Sequence, residues 1–341
     1  MQDIADLLAG KTLDAGRAEA LFDRVFAGQV EPAQLGAILA LLQARGATPQ
    51  ELAGAARSMR THVLPVPYQP GPGQILLDTC GTGGAPKTFN VSTAAAVVAA
   101  AADPRVRVAK HGNRSRTGRG SAEVLAALGV NIDASAETQA RCLERAGLCF
   151  CFAIHAHPAM KHAGPTRKAL GVPTLFNLLG PLTNPAGAAH QLIGVYDARF
   201  LPLVAQCLRE LGSQRAMVVH SREGLDEIGL GAPTDALLVE NGSIEPVVIE
   251  PAALGFKTIG YKELVVDDVD ASASIIRAIL AGTPGPHRDI VVMNAAAALL
   301  TAGVCANLAE GLQTASDAID RGAAKRTLET LAAESGTAAS G

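Results

Sequence analysis

The chain has no tryptophan, only 3% aromatic residues, and no dominant charge: 29 Lys plus Arg face 32 Asp plus Glu, a net charge of −3. Without a global basic field a nucleic-acid partner is disfavoured, although a local patch is still compatible with these totals. No apolar run is long enough to span a bilayer, because 91–102 is too short and 291–304 is interrupted by Asn294, so no membrane partner is expected. The opening MQDIADLLAG lacks the basic start and apolar run of a signal peptide, which makes the cytoplasm the expected compartment. Cys80, Cys142, Cys149, Cys151, Cys207 and Cys305 show neither zinc-site pairing nor the density of a secreted disulfide scaffold. Reduced, buried thiols are expected, and Cys149 and Cys151, alternating in LCFCFAI, read as core packing rather than a redox pair. Common nucleotide motifs are missing too: Gly81-Thr82-Gly83-Gly84 has no G-x-G-x-x-G register, and no Gly-Lys-Ser/Thr follows it.

What is present is 341 residues, 48% of them apolar, which favours two domains with ample length for a core. Residues 1–62 carry apolar positions at helical spacing (Leu21, Phe22, Val25, Phe26; Leu35, Ile38, Leu39, Leu42), punctuated by Gly28 and Gly46. Four prolines within 63–74 mark a boundary. Strands are expected at 75–79, 106–109, 149–154, 192–196, 215–220, 235–240 and 290–293. Helices are expected at 92–102, 120–129, 136–146, 199–211, 271–281 and 295–302. That alternation predicts an α/β fold: a small all-helical N-terminal domain and a large domain with a mainly parallel sheet flanked by helices. The expected division is 1–64, joined by part of about 157–190, where the rhythm breaks, and 75–341. Asn241-Gly242 predicts a hairpin over 239–248, and the small-residue tail is expected to fray.

Two strand–loop–helix units in tandem, 75–131, carry the chemistry. The first loop, GTGG, leads to Asn90, Ser92 and Thr93 at a helix mouth, where glycines admit an anion and free N–H groups can meet it. Alone it is equally a tight turn. The second loop carries Lys110, His111, Asn113, Arg114, Arg116 and Arg119, a mobile point charge and planar forks suited to a pyrophosphate, or else a solvated charge run. Two loops at the carboxyl ends of neighbouring strands face one crevice. Asp226-Glu227, shortly after a strand, reads as a surface pair or as a Mg²⁺ holder; facing a phosphate loop, the metal role is favoured. His155, His157 and His162 lack the carboxylate or Cys that would complete a metal set, so His157 reads as structural or pocket-lining. Arg167 either forks a substrate carboxylate or lies on the surface.

GTGG followed five residues on by NVST, then KHGNRS, HPAMKH with RK, FNLLGPLTNP, GVY and GLDEI occur in this order, and the chain closes with NAAAAL and EGLQTASDAIDRGAA. In this series it resembles the anthranilate phosphoribosyltransferase family, over nearly its whole length. The resemblance implies Mg²⁺-dependent transfer of phosphoribose from phosphoribosyl pyrophosphate to the amine of anthranilate or a similar aromatic acid, in a homodimer. It implies a donor site of Gly81, Gly84, Ala85, Thr88, Asn90, Ser92, Thr93, Lys110, Asn113, Arg114 and Ser121. Gly81, Asn113 and Arg167 would meet the acceptor, and Ser92, Asp226 and Glu227 the metal; no side chain is expected to act as nucleophile or strong base, and His111 reads as a pocket wall. The chain departs from the family pattern where an Asp usually follows GTGG, which here reads Ala85-Pro86-Lys87, and at Ser115 to Arg119, a loop one residue short. Lys87, Arg116 and Arg119 are expected to share charge neutralisation there. Rival readings are a paralogous transferase for another aromatic acceptor, a nucleoside phosphorylase, which KHGNR and Arg167 speak against, and a non-catalytic binding relative.

Overall fold

The computed structural model describes residues 2–115 and 118–336. Four helices open the chain: α1 (Gln2–Leu8), α2 (Ala15–Phe26), α3 (Pro32–Arg45) and α4 (Pro49–Thr61). Their starts follow from local chemistry. Asp14 accepts from the Arg17 N–H ahead of α2, and Thr48 with Glu51 forms a capping box around Pro49 ahead of α4. The buried Glu51 also accepts from the Leu13 N–H at 2.9 Å and pairs with Arg45, so one acid joins the α3–α4 corner to the approach to α2. Residues 63–74 then run without helix or strand, as their prolines predict.

The sheet has seven strands among the described residues, in the order β3-β2-β1-β4-β5-β6-β7. β1 (Ile75–Gly81), β2 (Val106–Gly112), β3 (Leu148–Phe152), β4 (His190–Gly194) and β5 (Arg215–Ser221) are parallel. β6 (Thr234–Glu240) and β7 (Ser243–Ile249) add an antiparallel hairpin, turning at Asn241 and Gly242 with φ of 49° and 79°, as that dipeptide predicts. Helices α5 (Val91–Ala102), α6 (Ser121–Ala127) and α7 (Ala136–Ala146) connect the first three strands. After β3 the chain leaves the sheet through α8 (Ala153–Ala156), α9 (Gly164–Leu170) and α10 (Phe176–Leu179), and α11 (Phe200–Glu210) joins β4 to β5. The remainder is α12 (Val269–Leu280), α13 (Pro286–Thr301), α14 (Leu308–Asp320) and α15 (Ala323–Gly336). One core lies between the sheet and α5, α7 and α12 to α15; a second runs from the N-terminal helices through 163–182 to α11 and the opposite sheet face.

Three expectations need correction. The expected strand 192–196 is β4, which begins at His190 and ends at Gly194. Residues 290–293 are not a strand: with the expected helix 295–302 they form the single helix α13, opened by Pro286. A helix buried on all sides has no 3.6-residue polarity, and the run Ile290-Val291-Val292-Met293, three of its four residues β-branched, looks like a buried strand. The expected strand 149–154 ends at Phe152, and Ala153 and Ile154 already belong to α8. The frayed tail falls on 337–341, outside the described residues.

The segment between α8 and β4 is pinned to the sheet. Asn184 Nδ2 donates to Asp78 Oδ2 at 2.8 Å and to the Ala109 carbonyl at 2.7 Å, and the His111 N–H donates to Asp78 Oδ1 at 3.1 Å. Asp78 is wholly buried, and burial raises its pKa. Replacing Asn184→Leu removes both donors from buried acceptors and should cost about 2–3 kcal/mol of stability in urea unfolding. A loss below about 0.5 kcal/mol, the scale of an ordinary surface change, would contradict this anchoring.

Candidate active site

The carboxyl ends of β1, β2, β4 and β5 open into one crevice, and backbone proximity shapes its floor. The loop after β1 lies across the end of β4: the Thr82 N–H donates to the Gly194 carbonyl at 2.9 Å, and the Tyr196 N–H donates to Thr82 Oγ1 at 3.1 Å. Gly84 turns there with φ +102°, a conformation that L side chains rarely adopt, against the ring of Tyr196. A Cβ on Gly194 would sit 1.6 Å from the Asp226 carbonyl oxygen, and one on Gly81 2.8 Å from Asp226 Oδ2. These two glycines therefore let the Asp226-Glu227 loop close against GTGG, although the two segments stand nearly 150 positions apart in sequence.

Ser92, in the first turn of α5, joins the charges. Lys110 Nζ donates to the Thr79 carbonyl at 2.6 Å and to Ser92 Oγ at 3.3 Å, and the Ser92 N–H donates to Glu227 Oε1 at 3.3 Å. Thr79 Oγ1 donates to the Ser92 carbonyl at 3.2 Å. Lys110 is buried, which lowers its pKa; Asp78, Cys80 and Glu227 pull the other way. Glu227 keeps a face on the crevice, yet enclosure by protein, then the neighbouring Asp226 charge, lifts its pKa to about 8 against the Ser92 N–H, Lys110 and Thr88. Burial raises Asp226 as well, opposed by the Gly83 N–H and Lys87. The buried Thr93 hydroxyl has no hydrogen-bond partner among the described residues.

Among the described residues no three His, Cys, Asp or Glu side chains converge as a metal cage. Two adjacent carboxylates do remain, crowded and partly enclosed, so that a second negative charge is costly until a cation relieves it. Such a hard-oxygen pair fits Mg²⁺, which keeps several waters and takes one or two protein carboxylates.

The second loop builds the other wall. The Asn113 carbonyl accepts from Ser121 Oγ at 3.4 Å, and Asn113 Oδ1 accepts from the Arg114 N–H at 2.8 Å. Arg114 lies over the Phe152 ring, 5.8 Å from its centroid. Asn90 Nδ2 donates to the Arg119 carbonyl at 3.4 Å, its Oδ1 accepts from Ser272 Oγ at 3.0 Å, and the Arg119 guanidinium donates to the Val266 carbonyl. Both loops are thus laced to the start of α12. Burial, then Arg119, lowers the Lys87 pKa, while Glu123 and Asp226 oppose this, so Lys87 sits among these charges next to the half-buried Ala85. Arg116, expected beside them, is outside the described residues.

The histidines do not gather. His155 pairs with the exposed Asp133 at 2.7 Å, and His162 packs at Gly28. His157 Nε2 meets His111 Nε2 at 3.2 Å, and His111 Nδ1 meets the Gly180 carbonyl at 3.0 Å, so this pair staples the segment after α8 to β2. Burial holds His111 at about 3 and His157 at about 4. Arg167, on α9, lies over Phe176 at 4.9 Å and is half-buried, which lowers its pKa.

The structure brings Gly81, Thr88, Ser92, Lys110, Asp226 and Glu227 to one place. Sequence reasoning missed Asp78, Asn184, Tyr196 and Ser272, which position the others; the only outward signal was an acid inside the apolar strand ILLDTC.

The chain matches the model of the glycosyl transferase family a/b domain over residues 73–325 and that of the glycosyl transferase family helical bundle domain over residues 2–63. It is 46% identical to an anthranilate phosphoribosyltransferase of Methylococcus capsulatus, over 96% of this chain and 95% of that protein. It is 47% identical to one of Anaeromyxobacter sp. strain K over 97% of each. The crystal structure of the Thermus thermophilus anthranilate phosphoribosyltransferase superposes with a TM-score of 0.91 at 38% identity, covering 99% of this chain and all of that one. The Saccharomyces cerevisiae enzyme in complex with phosphoribosyl pyrophosphate and Mg superposes with a TM-score of 0.88 at 25% identity, covering 98% and 97%.

The His111–His157 pair sets a pH dependence. Both histidines stay neutral in the fold below the ordinary value of 6.5, whereas the unfolded chain takes up protons there, so stability present above pH 6.5 is lost as pH falls toward 4. Urea midpoints across that range should fall less steeply in His157→Gln; an unchanged slope would contradict the assignment.

Proposed function

The chain belongs to the anthranilate phosphoribosyltransferase family, and from that premise we propose that it transfers phosphoribose from phosphoribosyl pyrophosphate to the amine of anthranilate. The C1′–O bond to pyrophosphate breaks, a C1′–N bond forms, and the amine gives up one proton. The observation that carries the reading at this site is Ser92, clamped between the Lys110 ammonium and the Glu227 carboxylate at the mouth of the GTGG crevice.

In this reading Asp226 and Glu227, with the Ser92 hydroxyl, hold Mg²⁺, which when bound neutralises charge on the donor's pyrophosphate. GTGG, Thr88, Asn90, Thr93, Asn113, Arg114 and Ser121 cradle the donor; Gly84 and Ala85 leave space for its phosphates. Helix-start N–H groups donate to that anion. Lys110 acts from behind, fixing Ser92 and adding a positive charge in a dry environment where it is little screened. The acceptor lies between Gly81, Asn113 and Arg167, with Arg167 forking its carboxylate. The amine's proton becomes acidic only as the new bond forms, so positioning and charge stabilisation dominate, and His111 and His157 serve as walls. Lys87, close enough to Asp226 for their charges to interact, adds positive charge to the donor wall in this reading.

The working unit in this proposal is a cytoplasmic homodimer joined through the helical part, residues 1–64 with part of 157–190, carried on the 75–341 domain. The exposed Leu8 and Val172, large apolar side chains on that part, support such a contact.

Purified protein with Mg²⁺ and phosphoribosyl pyrophosphate should extinguish anthranilate fluorescence, and anthranilate should win against a panel of aromatic acids. Pyrophosphate release with another acceptor and none with anthranilate would overturn the acceptor assignment. Arg167→Ala should raise KM for anthranilate at least about tenfold, the scale of a lost charge-assisted pair, with the donor KM little changed.

A further inference from the structure

Asn294 is an unusual residue for its place. It lies inside α13 in the run VVMNAAAALL, is only 4% exposed, and interrupts an otherwise apolar surface. A primary amide there is costly unless all its groups are bonded. Its Oδ1 accepts from the Ile228 N–H at 3.0 Å, and its Nδ2 donates to the Ile228 carbonyl at 2.9 Å and to the Ile290 carbonyl at 2.8 Å. Two of three bonds therefore close on both backbone groups of one distant residue, as a neighbouring strand would. That residue directly follows Asp226-Glu227.

We propose that Asn294 is the positioning residue of the Asp226–Glu227 pair, an amide clamp by which α13 fixes the direction in which the two carboxylates leave the backbone. This inference rests on the reading of that pair as Mg²⁺ ligands. Further bonds of the loop lie on its outer limb. The Ser221 N–H donates to the Leu225 carbonyl, and Glu223 accepts from the Gly231 and Tyr261 N–H groups. None of these reaches Ile228. Opposite, Gly194 bounds the loop at the Asp226 carbonyl, and the Ser92 N–H receives Glu227. Asn294 supplies the third side, and without it the Ile228 end of the pair loses its N–H and carbonyl bonds to α13.

The test compares Asn294→Ala with Thr301→Ala, a buried polar truncation in the same helix whose hydroxyl donates to the Ala297 carbonyl at 2.7 Å. Mn²⁺ titration followed by electron paramagnetic resonance reads metal affinity without turnover, and KM for Mg²⁺ is measured alongside. Asn294→Ala should weaken Mn²⁺ binding and raise KM for Mg²⁺ at least about tenfold, the range seen when groups that orient metal ligands are removed, with kcat largely recovered at saturating metal. Thr301→Ala should leave both within about twofold, the scatter of a change remote from a metal site. A folded Asn294→Ala protein with unchanged Mn²⁺ affinity overturns the proposal. Should it not fold, Asn294→Ser carries the same comparison, and failure of both to fold while Thr301→Ala folds assigns Asn294 a purely structural role and overturns it as well. Asp226→Asn separates the two levels: if it leaves Mn²⁺ affinity unchanged, the metal reading itself fails, whereas loss there with none in Asn294→Ala removes only the clamp.

Discussion

The buried Lys110 ammonium is the constraint around which the crevice is arranged. An ammonium taken out of water is tolerated only when it is hydrogen-bonded and faces opposite charge. Here it donates to the Thr79 carbonyl and to Ser92 Oγ, and the Asp78 and Glu227 charges favour it. That requirement draws β1, β2 and the start of α5 together, since each supplies one group. It also places a positive charge beneath the loop that would receive an anion. Asp78, buried next door, is kept satisfied by Asn184 and the His111 N–H, so the segment that lies beyond the sheet is tied into the same arrangement.

The opposite charge arrives from far along the chain. Asp226 and Glu227 approach the first loop only because Gly81 and Gly194 have no side chain to obstruct them. Burial first, and then the neighbouring Asp226 charge, raises the Glu227 pKa. A cation and a polyanionic donor would each answer one half of the imbalance: the metal the carboxylates, the pyrophosphate the Lys110, Arg114 and Lys87 side. Such an arrangement of opposed charges suits a site where charge stabilisation rather than a nucleophile carries the chemistry.

Much of this was legible in the sequence. The helical start, the strand–helix alternation and the Asn241-Gly242 hairpin follow from local periodicity and turn chemistry, and the phosphate-loop residues announce themselves by type and spacing. Residues 290–293 misled because a helix buried on every side erases the periodicity that distinguishes it from a strand. The roles of Asp78, Asn184, Ser272 and Asn294 were hidden for a different reason. Each bonds to a group between 33 and 182 positions away, and no window of sequence shows such a pairing. Arg167 stands out in the sequence by its Pro-bounded helical start and its place after HPAMKH, and the structure seats its guanidinium on the Phe176 ring.

The central claim is that one crevice binds the donor and its metal between Lys110–Ser92 and Asp226–Glu227. The most direct measurement is a crystal structure of this protein with phosphoribosyl pyrophosphate and Mn²⁺, the metal located by its anomalous signal. The account predicts an anomalous peak within coordination distance of Asp226 or Glu227 and the pyrophosphate lying over Gly81 to Gly84. A peak remote from both carboxylates, or a donor bound outside the β1 and β2 loops, would contradict it.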